Sequence, residues 1–345
     1  MGILHGISIS VSDNRGSDDA REMAARIHIP PPFDAHSFTV GTALEAGIGR
    51  SRLQGQDLAR PFWGIRVPSA SAEAAMLRVA PKPDEHESVA AQHRAPALAR
   101  AYFARMKPGQ FFSHVTAARL HGIPLPTAFD GDDTLDVSVP YPARAVRAIG
   151  IGGHKQMVLP RDVVMVDGLP VSSPARVWLE LGSLMSTEDL ICAGDYLLWW
   201  RQPKVTRAEL ARAVDGYIGR SGKARLVESL PILSDRSDSP PESKFRYRFG
   251  CAGLPAPEVN EKMYDDQGRF LAMPDLAFKK YRMAIDYEGD HHRTDRHQWQ
   301  KDLGRVPRLE DADWHSTRAS AADLRDSREL IDRLRRLLRA RGWTG

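Results

Sequence analysis

Residues Met273 to Arg293 read M-P-D-L-A-F-K-K-Y-R-M-A-I-D-Y-E-G-D-H-H-R, and their alternation decides the fold of the C-terminal part of the chain. Side chains of a strand point to opposite faces in turn, so Met283, Ile285 and Tyr287 face one way and Ala284, Asp286 and Glu288 the other. The first face supplies a core. The second carries acids, and Asp275, which ends the preceding strand and is joined to this one by a tight connection, shares its surface. Carboxylates gathered at one place repel one another unless a cation binds between them. A hard divalent ion, Mg²⁺ or Mn²⁺, takes one or two carboxylates and fills its remaining positions with water and phosphate oxygens. Such an ion activates water and offsets charge on a leaving oxygen, and His292 has the titration range to pass a proton. On spacing alone a structural role explains the strand equally well: Asp290 can shape the turn, and His291 and His292 can be plain surface residues.

Outward from this stretch, Glu242 to Gly250 reads as a helix and V-N-E-K-M-Y as a strand. D-D-Q-G-R follows as a hairpin turn, then F-L-A-M-P-D-L-A-F as a second strand. A helix is expected from about Thr294. A final amphipathic helix carries Leu324, Ile331, Leu334 and Leu338 on one face. The order is helix, three strands, helix and a last helix.

Upstream, residues 1–35 read as a loose, polar arm, Pro-rich at its end. Residues 36–70 have the pattern of a winged helix: a helix over Val40 to Ala46, a turn at Gly47, a second helix from about Gly49, and W-G-I-R-V as the wing. Arg50, Arg52 and Gln54 would open that second helix, where such folds meet the DNA major groove. Residues 71–232 form a mixed middle domain, with helices ended by Gly122 and Pro124 and opened by Ser173 and Pro174. Arg119 and His121 are read as holding that domain together, and Trp199 and Trp200 as core. L-S-D-R-S-D-S-P-P, about 233–240, reads as a linker, and 241–345 is the last domain.

The 345 residues are 42% hydrophobic and 27% charged, ordinary for a multi-domain globular chain. A net charge of +4 permits nucleic acid as a partner without demanding it. Cys192 and Cys251 are too few and too far apart for a disulfide framework or a zinc site, which fits a reducing, cytoplasmic compartment. No apolar run reaches the length of a membrane span, and the first residues lack the pattern of a signal peptide.

Pro274 and Asp275, D-Y-E at 286–288 and the helical Glu242 resemble the PD-(D/E)XK nuclease pattern. More closely, S-P-P-E-S-K, A-G-L-P-A-P-E-V-N, G-R-F-L-A-M-P-D-L-A and Y-E-G-D-H-H-R-T-D-R resemble the very-short-patch-repair-like endonuclease domains of actinobacterial proteins, over about residues 239–302. The upstream half, with S-R-L-Q-G, P-F-W-G-I-R-V-P, T-A-A-R-L-H-G-I-P-L-P and D-G-L-P-V-S-S-P-A-R, resembles the AbiEi-like antitoxin family. The resemblance implies a C-terminal restriction-endonuclease-like domain, a central mixed sheet flanked by helices. It makes Glu242, Asp275 and Asp286 the metal-facing carboxylates, puts Glu288 at the position of the lysine or its acidic replacement, and matches His292 to a downstream histidine. The chain departs from the pattern by D-Y-E where E-Y-D is usual, and by Pro307 with His315, Ser316 and Thr317 where an apolar strand is usual. Lys301 or a nearby arginine would have to supply the missing positive charge.

Two functions are expected from these readings. The first is a Mg²⁺- or Mn²⁺-dependent DNA endonuclease in phage defence or DNA repair. The second is an antitoxin-like transcriptional regulator, with a cognate toxin or other protein partner, whose nuclease-fold domain is inactive.

Overall fold

The computed structural model describes residues 28–78, 87–288 and 305–345. They form an α+β, multi-domain chain that divides into two compact units. The first runs to Phe112 and adds residues 130–157 and 167–170; the second takes residues 113–129, 158–166 and 171–345.

The first unit opens with strand β1 (Phe38–Thr39), helix α1 (Val40–Glu45) and strands β2 (Leu58–Ala59) and β3 (Ile65–Pro68), in the antiparallel order β1-β3-β2. Thr39 starts α1 by accepting the Thr42 backbone N–H at 3.1 Å, and Gly47, at φ 85°, turns the chain out of it. Phe38, Ala43, Ile48, Leu53 and Leu58 close a small core. The expected second helix does not form: Arg52–Gln54 is a single 3-10 turn. The cause is local. Arg52, buried, donates Nη1 to Asp57 Oδ1 at 2.8 Å and Nη2 to Asp57 Oδ2 at 2.5 Å, and this clamp closes the loop before a helical turn can propagate. Arg52 therefore points inward, while Arg50 and Gln54 are exposed. Replacing Arg52 with alanine is expected to cost about 1–3 kcal/mol of stability in urea unfolding; an unchanged midpoint would show that the clamp contributes nothing. Helices α2 (Ala72–Leu77) and α3 (Glu87–Phe103) follow, then β4 (Phe111–Phe112), β5 (Leu135–Pro140) and β6 (Ile151–Gln156), with β5 antiparallel to β4 and parallel to β6.

The second unit begins with helix α4 (His114–His121), ended by Gly122 in the left-handed conformation. As read from the sequence, Arg119 and His121 have structural roles: Arg119 donates to the Phe129 carbonyl, and the His121 ring bonds the Ser172 carbonyl while its own carbonyl accepts the Tyr196 hydroxyl. Strand β7 (Val163–Val166) and strand β8 (Leu169–Ser172), whose first two residues count with the first unit, lead into α5 (Pro174–Leu181), capped by Ser173. Helices α6 (Thr187–Leu198), α7 (Arg207–Asp215) and α8 (Lys223–Ser229) complete the helical part.

The stretch read as a linker is packed. Leu233 and Ser237 are buried, and the Ser234 backbone N–H donates to Asp195 on α6. The next helix, α9 (Pro240–Cys251), lies along α6. Ser243 and Arg246 reach Asp195 at 2.7 and 2.5 Å, Lys244 reaches Asp189, and Arg248 grips Glu188 with two nitrogens. Polarity in 233–240 therefore marks hydrogen bonding to a neighbouring helix. A second expectation also changes: Trp200 is 46% exposed and outside the core.

After α9 come β9 (Glu258–Val259), β10 (Met263–Tyr264), β11 (Phe270–Ala272), β12 (Leu276–Phe278), β13 (Met283–Glu288), α10 (Arg305–Asp311), β14 (His315–Ser320), α11 (Ala321–Arg325) and α12 (Arg328–Ala340). The central sheet has the order β14-β13-β12-β9; its first pair is parallel and the others antiparallel. One face of this sheet buries Met283, Ile285, Leu276 and Phe278 against Phe245 and Phe249 of α9 and Leu330, Leu334 and Leu338 of α12. Ala277 and Ala284, on the other face, meet Leu271, Met263 and Leu309. The alternation read from the sequence is thus real, although both faces of the strand's first half are covered. β14 forms in spite of its polar residues and stays in register with β13 from Met283↔His315 to Glu288↔Ser320. Thr317 and Ala319 are its buried residues, and a β-branched threonine suits a strand.

Candidate functional site

One long hairpin has a break on each side, and the break makes the site. β10 pairs with β11 and β9 with β12, but Pro274 and Asn260 separate the two pieces. Proline has no N–H to give a ladder, and Asn260 adopts φ 48°, a conformation asparagine tolerates better than most residues. Asp275 sits at this bend. Its carbonyl accepts the Asn260 N–H at 3.0 Å, so its backbone is held on that side.

On the other side stands Asp286. Extending the pairing Leu276↔Ile285 by one residue places Asp275 opposite Asp286. The Asp275 N–H lies 3.4 Å from Asp286 Oδ1, and Asp275 Oδ2 accepts the Tyr287 N–H at 2.7 Å. Two carboxylates thus meet on adjacent strands at the end of the sheet, each partly exposed. Their positions come from backbone pairing on strands whose apolar residues anchor two cores, which makes the pair rigid.

Glu242 is nearby but differently employed. It is the third residue of α9, and it reaches back over the helix start: Oε1 accepts the Ser239 hydroxyl at 2.6 Å and Oε2 the Asp238 N–H at 2.9 Å. Asn260 Nδ2 adds a third donor at 2.6 Å. Burial, and then the negative charge of Asp275, push the Glu242 carboxyl up to about 7. An acid with a folded pKa above its unfolded one favours folding while both states are protonated, and that contribution is lost as pH rises through the folded value. Stability is therefore expected to fall between about pH 4.5 and about pH 7 by on the order of 2–3 kcal/mol from this group. Glu242→Gln should flatten the urea midpoint across that range, and parallel curves for the two proteins would contradict the assignment.

Glu288 is about half exposed and pairs with Arg318 Nη1 at 2.7 Å. Arg318 stands in register with Asp286 on the parallel neighbour, so it brings a positive charge to the acidic face. His292 lies outside the described residues, as does Lys301. The structure accordingly brings Asp275 and Asp286 together, sets Glu242 beside Asp275, and turns Glu288 toward Arg318. Among the described residues no group of three or more His, Cys, Asp or Glu side chains has the arrangement of a metal site. The donor chemistry fits a hard cation through the two aspartates, since Mg²⁺ needs only one or two carboxylates. Glu242 accepts three hydrogen bonds at the start of α9, which gives it a structural part beside the aspartates. Asn260 and Arg318 were missed in the sequence. Asn260 stands inside P-E-V-N, and only the hairpin break gives it a role; Arg318 needed the strand register.

These features define an α+β chain with a rigid aspartate pair at the end of a mixed sheet. No family model matches it. Two curated proteins of Mycobacterium tuberculosis, Uncharacterized protein MT2308 and Uncharacterized protein Rv2248, are each 26% identical to this chain over 200 residues, or 58% of it and 70% of their own length. The crystal structure of the RV2827C protein from Mycobacterium tuberculosis is similar over 72% of this chain and 88% of its own, with 13% identity and a TM-score of 0.34. Among the described residues no helix is long and apolar enough to cross a membrane.

Proposed function

We propose that the C-terminal region hydrolyses DNA phosphodiesters with Mg²⁺ or Mn²⁺ held by Asp275 and Asp286. The observation that carries this reading is the pairing of the two aspartates across β12 and β13, with their backbone fixed on both sides. The helix, the antiparallel strands β9, β12 and β13 and the parallel β14 agree with the central mixed sheet flanked by helices that the resemblance to restriction-endonuclease-like domains implies.

The divalent ion, when bound, would lower the pKa of a water and offset charge on the leaving oxygen. The chain's own residues do the positioning. Tyr287 N–H orients Asp275, and Asn260 ties the Asp275 backbone to the α9 start. Glu242 holds that start, so its part in the site is to fix Asn260. Arg318, in register with Asp286, supplies a cation on the face of the acids, and Glu288, at the motif position of the lysine, pairs with its guanidinium. His292 is the proposed proton carrier.

A second reading is favoured by one observation: Glu242 and Glu288 already have partners, which leaves a two-aspartate site. A regulator that binds DNA through an inactive nuclease fold would have that arrangement. Incubation of the protein with plain duplex, nicked, mismatched and single-stranded DNA and Mg²⁺ or Mn²⁺ separates the two. Metal-dependent cleavage supports the nuclease, and binding without cleavage of any substrate supports the regulator.

A further inference from the structure

Trp200 follows α6 and is 46% exposed, whereas Trp178, a core residue of the same unit, is fully buried. Its backbone N–H donates to the Asp235 carbonyl at 2.9 Å, which fixes where the indole leaves the chain. Two guanidiniums lie against that ring, Arg236 at 4.8 Å from the centroid and Arg201 at 5.0 Å. Arg201 also lies over Trp199, at 5.7 Å, and Lys204 over Tyr196. Acids border the cluster. Asp238 accepts the Trp199 indole N–H at 2.7 Å and pairs with Arg201 at 3.1 Å, and Asp235 is exposed.

The two arginines are held differently. Arg236 Nη2 donates to the Asn260 carbonyl at 3.0 Å, and Asn260 Nδ2 donates back to the Arg236 carbonyl at 2.9 Å. This is the same Asn260 that reaches Glu242 and whose N–H bonds Asp275. Arg236 is thus tied into the aspartate site, while Arg201 is about half exposed and pairs with the exposed Asp238. The basic and aromatic cluster is therefore linked to the acidic pair by the hydrogen bonds of one buried asparagine.

We propose that Trp200, with Arg236 and Arg201 against its ring, is a stacking platform for an unpaired base of single-stranded DNA whose backbone continues toward Asp275. An exposed cation–π contact is worth a factor of about two to five in binding, and a base stacked on an indole about five to a hundred. A base therefore displaces Arg201 from the ring, and the freed guanidinium meets a phosphate. Arg236 stays in place through Asn260 and aligns the strand with the site. In a duplex every base is already stacked on its neighbours, so the platform selects single-stranded segments. The identity of the polymer as DNA rests on the nuclease reading above; the stacking itself does not.

The test is fluorescence anisotropy of fluorescein-labelled oligothymidylate, and of a labelled duplex, with the full chain in EDTA so that no metal-dependent cleavage occurs. Trp200→Ala is expected to weaken oligothymidylate binding about five- to a hundredfold, Trp200→Phe less, with duplex binding unchanged. Equal oligothymidylate affinity for wild type and Trp200→Ala overturns the proposal, and so does an equal loss on duplex and single strand. Cleavage that survives Asp275→Ala defeats the nuclease reading and leaves the platform standing if Trp200→Ala still loses binding. Cleavage lost in Asp275→Ala with unchanged binding by Trp200→Ala defeats the platform alone.

Discussion

Asp275→Ala is expected to lower Mg²⁺-dependent DNA cleavage by about a thousandfold, equivalent to ~4 kcal/mol of transition-state stabilisation. The size follows from what the side chain does. It is one of two carboxylates proposed for the ion, and alanine leaves Asp286 to hold a divalent cation alone. Asp275 is partly exposed at the end of the sheet, and its packing neighbours Leu276 and Phe278 carry the core without it. The variant should therefore fold, losing mainly the acceptor for the Tyr287 N–H. Asp275→Asn keeps an acceptor for that N–H and removes the charge, so it should fold better and be nearly as inactive. Cleavage within threefold of wild type in both variants would refute the site.

Asp195→Ala is expected to destabilise the second unit by about 3–5 kcal/mol. Asp195 is 1% exposed on α6 and accepts three hydrogen bonds, from the Ser234 N–H at 2.6 Å, the Ser243 hydroxyl at 2.7 Å and Arg246 at 2.5 Å. Removing it strands a largely buried guanidinium whose other contact is the Ile232 carbonyl, and it frees two donors at the entry to α9. Most of the cost is the uncompensated charge. Adding Arg246→Met to Asp195→Ala should recover much of the loss, because a methionine of similar length packs without needing a partner. Urea unfolding of the two single variants and the double variant gives the coupling directly. Additive effects in that cycle would mean that the ion pair does not join α6 to α9.

Much of the C-terminal region could be read from the chain. The period of two in Met283–Glu288 separates the residues of the main core from the acids, and Leu334 and Leu338 mark the last helix, although Leu324 falls in α11 and Leu330 is buried more fully than Ile331. These signals are local, so they survive in a linear sequence. Other features depend on distant partners. The 233–240 segment reads as a linker by composition, yet its polar groups are acceptors and donors for α6 and α9. Trp199 and Trp200 read as core, yet Trp200 is exposed with Arg201, its neighbour in the chain, and Arg236, brought in only by the fold, over its ring. The second helix of the N-terminal unit failed because Arg52 finds Asp57 five residues on, a clamp that helix periodicity does not reveal. The resemblance gives Glu242 as a metal-facing carboxylate, and its three hydrogen bonds at the helix start come from residues that only the fold brings together. The break at Asn260 and Pro274, which sets Asp275 opposite Asp286, is visible only once the hairpin is paired.

The central claim is that Asp275 and Asp286 together hold one divalent ion, and Mn²⁺ binding followed by electron paramagnetic resonance tests it without relying on cleavage. Wild-type protein is expected to bind one Mn²⁺ that Asp275→Asn and Asp286→Asn each weaken at least tenfold, and that Glu242→Gln leaves nearly unchanged. Equal Mn²⁺ affinity in wild type and both aspartate variants would contradict the account.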